Sequence, residues 1–196
     1  MVRGLREHLA DNLVGIYLQG SFAVGGYDEH SDVDFIVVLE RDITDDELGR
    51  LQDLHRRVFD LPSEWAKHLE GSYFPKSVLA TVQAAGSPVW YLDHGARTLV
   101  RSDHCNTVVV RVVLREYGVS LLGPDPDQLV DPIVVTDLQR DILATIHDWG
   151  RDILENPARY TNRFYQGFII LNYCRMLHDL SSGIVGSNCA VRSRLL

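Results

Sequence analysis

A chain of 196 residues, 45% hydrophobic and 23% charged, has room for one large or two small domains and the composition of an ordinary globular protein. The opening Met1-Val2-Arg3-Gly4-Leu5-Arg6-Glu7-His8 has no apolar core of signal-peptide length, and no apolar run could span a bilayer, so no membrane partner is expected. A net charge of −8 argues against holding nucleic acid by its phosphates, and three scattered cysteines, Cys105, Cys174 and Cys189, argue against a disulfide framework and suit a reducing cytoplasm.

In chain order, Arg3 to Asn12 reads as a short helix and Val14 to Leu18 as a strand feeding a Gly20-Ser21 turn. Such a turn can bring backbone N–H groups and a hydroxyl close to phosphate. Ser21 to Gly25 reads as the start of a helix whose exposed N–H groups would face the phosphates. Ten residues separate Ser21 from Asp32-Val33-Asp34, which heads the run Phe35-Ile36-Val37-Val38-Leu39. That run is apolar at both parities, which predicts a strand buried on both faces. Asp32 and Asp34, two apart, point to the same face and can hold Mg²⁺ between them. Without a cation the two like charges repel. Taken alone, Asp-x-Asp reads as readily as a pair of strand-capping aspartates.

Thr44-Asp45-Asp46-Glu47 is a capping box that opens a helix with Leu48, Leu51, His55, Val58 and Phe59 on one side. Trp65 to Tyr73 reads as the next strand and Val89 to Leu92 as a short one before the turn Asp93-His94-Gly95. Val108 to Leu114 is β-branched, which favours a strand. Its continuation to Tyr117, a polar cap near Asn106 and the stop at Gly118 favour a helix, which is the reading adopted. Gly123-Pro124-Asp125-Pro126-Asp127 and Asp131-Pro132 mark the boundary between domains 1–130 and 131–196. Beyond it, Thr136-Asp137-Leu138-Gln139 reads as a second capping box opening a helix to Glu155, and Pro157 breaks it. A further helix runs from Asn162 to Leu180 and stops near Gly183.

On the helix from Asp137, residues Asp137, Asp141, Asp148, Asp152 and Glu155 fall within roughly 60° of one another at 100° per residue. Leu138, Ile142, Leu143, Ile146, Ile153 and Leu154 take the other side, with Trp149 on the border. Such a stripe is either a solvated face or a seat for a polycationic ligand, to which Trp149 would offer an aromatic surface. Asp148 and Asp152, beside that tryptophan, are its candidate ligand contacts. The eight histidines show no zinc spacing in sequence and read as ordinary, and no GxGxxG supports a dinucleotide site.

The string from Gly20 to Val38, Gly-Ser-Phe-Ala-Val-Gly-Gly-Tyr-Asp-Glu-His-Ser-Asp-Val-Asp-Phe-Ile-Val-Val, resembles the signature of the nucleotidyltransferase superfamily. Its Gly25-Gly26 and His30-Ser31-Asp32 details are similar to the aminoglycoside adenylyltransferase branch, of streptomycin or spectinomycin type. The resemblance implies an α+β fold: an N-terminal nucleotidyltransferase domain, a mixed β-sheet flanked by helices, followed by a short C-terminal helical domain. It implies transfer of AMP from ATP to a drug hydroxyl, with Asp32 and Asp34 as Mg²⁺ ligands and Gly20, Ser21 and Ser31 near the phosphates. Glu70 reads from its own surroundings as an edge-strand glutamate facing water, whereas the resemblance implies the general base. Arg175 reads equally as a surface arginine, whereas the resemblance implies a contact to ATP. A tryptophan near this helix end touches drug in related enzymes, which implies the same for Trp149.

The likeness fails after Gly183. Asn188 stands where related enzymes have a lysine, and they continue through further helices, so the helical domain is expected to be truncated. The expected assembly is a monomer or homodimer. Two other readings stay open: a nucleotidyltransferase acting on a protein acceptor, and an inactive remnant that binds nucleotide.

Overall fold

The computed structural model describes residues 1–25, 27 and 31–185. Part of the Gly-Ser signature (Gly26 and Asp28, Glu29 and His30) and Asn188 with the rest of the tail lie outside the described residues. The chain divides into two compact units, Met1–Pro132 and Ile133–Leu196.

The first unit runs α1 (Val2–Leu9), β1 (Leu13–Leu18), α2 (Gly20–Val24), β2 (Val33–Leu39), α3 (Asp45–Phe59), β3 (Leu69–Pro75), α4 (Lys76–Leu79), β4 (Val89–Leu92), β5 (Val100–Ser102), α5 (Val108–Tyr117) and β6 (Val119–Leu122). The strands form one sheet in the order β5-β4-β3-β2-β1-β6. Among the described residues only β2 and β3 pair in parallel, so the sheet is mixed.

Strand β2 is central because its sequence is apolar on both faces, and Phe35 through Leu39 are all fully buried. Phe35, Val37 and Leu39 face a core built with Leu5 and Leu9 of α1 and Leu51, Leu54 and Val58 of α3. Full burial of each such side chain contributes about 1.5–3 kcal/mol. The opposite face carries Ile36 and Val38, register-matched to Ser72 and Phe74 on β3. Arg111 of α5 lies buried against that face, 5.8 Å from the Phe74 ring. Its guanidinium donates to Leu79 O, Thr107 O and Val78 O at 3.1, 2.9 and 2.8 Å. The bonds to Leu79 O and Val78 O tie α5 to the C-terminal carbonyls of α4, where the helix dipole favours a cation.

The Thr44–Glu47 capping box forms in full. Several expectations need correction. Strand β3 begins only at Leu69, because Glu64–Lys67 closes a 3₁₀ turn with Ala66 N donating to Ser63 O. Helix α5 is capped by Thr107, whose Oγ1 accepts from Val110 N at 3.1 Å. Asn106 is instead buried and donates to Ala84 O and Ser87 O. Strands β5 and β6 and the single turn of α4 are too short to leave a period in the sequence.

The second unit holds α6 (Val135–Glu155) and α7 (Arg163–Ser182), packed on each other. Helix α6 starts at Val135 with no side-chain cap, so the Thr136 capping box does not form. Gln139, which would reach back, donates its amide to Leu180 O of α7 at 3.0 Å. Of the apolar side read from sequence, Leu138 and Ile142 are buried, whereas Leu143 and Leu154 are exposed. Helix α7 begins at the Asn162 cap, whose Oδ1 accepts from Tyr165 N, and ends at Gly183 in the left-handed region. No helix of the described residues is long and apolar enough to cross a membrane.

Candidate active site

Gly20 adopts φ +61°, and a Cβ built there would lie 1.9 Å from Asp34 Oδ2. Only glycine permits both the backbone and the approach of the carboxylate. Gln19 N also donates to Asp34 O at 3.0 Å, so the Gly-Ser bend is fastened to the start of β2. Ser21 on the short α2 and Ser31 before β2 are both half-buried at this end of the sheet.

The parallel register sets Asp34 beside Glu70. Neighbouring strands stand about 4.8 Å apart, so the two side chains rise from one face as adjacent posts. Gly71 secures that spacing, since a Cβ there would meet Phe35 O at 2.5 Å. Asp32, two residues before Asp34, has the same parity at the mouth of β2. Its Oδ1 lies 2.7 Å from His94 Nδ1 and 3.9 Å from His68 Nδ1. Gly20, Asp32, Asp34 and Glu70, which sequence spreads over fifty positions, therefore gather at one end of the sheet.

Five neighbours escaped the sequence reading: Tyr91, Asp93, Cys105, His68 and His94. Tyr91 Oη donates to Glu70 Oε1 at 2.5 Å and stands 3.1 Å from Asp93 Oδ1. Burial, and next its bond to Glu70, push the phenol well above its usual range, which keeps it a donor. Cys105 Sγ sits 3.6 Å from the same Glu70 oxygen. Burial first, and then the charge of Glu70, push its thiol up to about 12, so it stays protonated. Glu70 thus has one oxygen engaged by two donors. The signal for Tyr91 and Asp93 was available, because they alternate on β4 as Asp32 and Asp34 do on β2. Cys105, His68 and His94 left none, since only the start of β3 and the turns after β4 and β5 bring them near.

The remaining candidates belong to the second unit. Trp149 stacks on Tyr173 at 5.3 Å and meets Phe168 edge-on at 5.9 Å. Asp148 is exposed and pairs with Arg151 at 3.9 Å. Asp152 accepts from Tyr160 Oη, from Asn156 Nδ2 at 2.8 Å and pairs with Arg159 at 3.5 Å. The Tyr160 bond chiefly holds its carboxyl below the usual range. Asp137 likewise pairs with Arg140. The acidic stripe is therefore partly neutralised by the chain's own arginines. Arg175 on α7 donates to Asn172 Oδ1 at 2.8 Å.

The family described as nucleotidyltransferase domain matches residues 2–66. Spectinomycin 9-adenylyltransferase of Enterococcus faecalis is 46% identical over 41 residues, a match covering 21% of this chain and 16% of that enzyme's length. The solved structure of spectinomycin adenyltransferase AAD(9) from Enterococcus faecalis, with ATP and spectinomycin, superposes with a TM-score of 0.76 at 19% identity. That superposition covers 99% of this chain and 79% of the other. The chain has the nucleotidyltransferase fold of that enzyme.

Proposed function

We propose that the chain transfers AMP from ATP to a hydroxyl of an aminoglycoside of spectinomycin or streptomycin type, releasing pyrophosphate, in the cytoplasm where ATP is available. The observation that carries this reading is the meeting of the Gly20 bend, the Asp32/Asp34 pair and Glu70 at one end of the sheet. The donor set is made of hard carboxylate oxygens, and the Gly20 bend leaves space for the Asp34 carboxylate where any side chain would intrude, a combination that suits Mg²⁺. Asp32 and Asp34 would hold Mg²⁺, which would supply positive charge to offset that of the triphosphate.

Gly20, Ser21 and Ser31 line the phosphate side through backbone and hydroxyl donors. Glu70 takes the proton from the drug hydroxyl. Tyr91 engages Oε1, which leaves Oε2 as the oxygen for that proton. The hydroxyl oxygen then bonds to the α-phosphorus as the bond to the bridging oxygen breaks, and pyrophosphate departs with that electron pair. Orientation and fixed charge supply most of the rate. In the helical unit, Arg175 contacts ATP, and Trp149 with Asp148 and Asp152 receives the cationic drug.

Pyrophosphate release from ATP with and without an aminoglycoside panel tests the reading. Drug-stimulated release that falls by roughly 10²-fold or more in Glu70→Gln supports it. Asp32→Asn should abolish transfer and leave the fold intact. Release only with a protein acceptor, or ATP binding without any release, rejects it.

A further inference from the structure

Beside Asp32 the sheet carries two imidazoles that AMP transfer does not employ. Strands β2 and β3 run parallel and β4 returns against them, so the N-terminal ends of β2 and β3 and the turn after β4 emerge at one edge. Those positions are Asp32, His68 and His94. Val33 N donates to His68 O at 2.7 Å, which pins the starts of β2 and β3 together. One donor atom from each of the three side chains lies within 4.8 Å of the other two. The imidazole rings are 5.2 Å apart and tilted by 54°. His68 Nδ1 is buried, and among the described residues it has no hydrogen-bond partner.

The geometry points to a site for a borderline divalent transition ion of the zinc type, held by Asp32, His68 and His94, with its remaining positions left to water. Imidazole nitrogen suits zinc, cobalt and nickel, whereas Mg²⁺ takes oxygen ligands. Ligand atoms 2.0–2.1 Å from a tetrahedral zinc stand roughly 3.3 Å from one another. The two separations from Asp32 Oδ1, 2.7 Å to His94 and 3.9 Å to His68, bracket that value. An ion here replaces the proton between His94 Nδ1 and Asp32, and that proton moves to the other ring nitrogen or to water. A plain His94–Asp32 hydrogen bond accounts for one imidazole and leaves the buried nitrogen of His68 unexplained. The cluster Glu70, His104 and Cys105 is equally compact, but its carboxylate already accepts from Tyr91 and Cys105.

The site stands on geometry alone. Its consequence rests on the functional reading above: Asp32 is shared with the proposed Mg²⁺ pair, so a zinc-type ion antagonises AMP transfer.

Titrating the full-length protein with Co²⁺ in the absence of ATP, followed by visible absorption and by displacement with Zn²⁺, tests the site. One equivalent should bind and resist an excess of Mg²⁺. His68→Ala and His94→Ala should each weaken binding by on the order of 100-fold, at least as much as outer-shell changes cost metal sites. His147→Ala, on exposed helix surface, should bind as the parent does. Absence of binding overturns the proposal, as does undiminished binding in either His68→Ala or His94→Ala. So does loss in His104→Ala with retention in His94→Ala, which would put the ion on the Glu70 cluster. Cobalt binding by a protein that transfers no AMP rejects the functional reading alone; transfer without cobalt binding rejects the metal site alone.

Discussion

Replacing Gly20 by alanine perturbs the candidate site through one methyl group. Two effects add. At φ +61° an L-residue is strained, at about 1–2 kcal/mol. The new Cβ would also lie 1.9 Å from Asp34 Oδ2, against a closest tolerated approach of 3.0 Å, so something must yield by 3.0 − 1.9 = 1.1 Å. Asp34 is fastened by its backbone to Gln19 N and by register to Glu70, so the carboxylate is what moves. A displacement near 1 Å at a reacting centre costs roughly 10²-fold in rate. The expected result is AMP transfer reduced about 10²-fold, with stability lowered by about 1–2 kcal/mol in urea unfolding. Pyrophosphate release and urea melts on the same preparation separate the two effects. Gly20→Ala with parental turnover would refute the idea that this bend sets the position of Asp34.

His55 is buried, its Nε2 2.6 Å from Tyr73 Oη, and burial lowers it to about 4 from an ordinary 6.5. The neutral ring is the native form, so stability is full above pH 6.5 and falls as pH drops towards 4, by about 1.4 kcal/mol per unit. Urea melts across that window should show the slope, and His55→Phe should flatten it; an unchanged slope would contradict the assignment. Arg111→Met strips three carbonyls of their donor and should cost about 3 kcal/mol or more. A loss under about 1 kcal/mol would mean that water replaces those bonds. Tyr91→Phe keeps the ring and removes the donor to Glu70, so kcat should fall roughly tenfold, in keeping with one bond to a charged group. KM for ATP should stay the same, and an equal change in KM would deny that Tyr91 positions Glu70.

Local chemistry made much of this protein readable in one dimension. The doubly apolar run after Asp34 announced a strand buried on both faces, Thr44 and Glu47 announced the start of α3, and Gly183 the end of α7. Asp32 and Asp34 could be paired from spacing, because strand parity is a rule of covalent geometry. Glu70 could not: its neighbourhood on the chain is that of a solvent-facing glutamate, and only likeness to a family singled it out.

What the chain order withholds is everything set by register and crossover. The placement of Glu70 beside Asp34, the donation from Tyr91, and the convergence of His68 and His94 on Asp32 depend on which strand lies next to which. The acidic stripe of α6 shows the same limit in reverse, for its periodicity is plain while Arg159 and Tyr160, which engage Asp152, come from the turn after the helix. Residue type and short-range spacing dictate which elements form and which side chains share a face. Hydrogen-bonded pairing between distant strands decides which of those faces meet, because that choice minimises energy over the whole sheet.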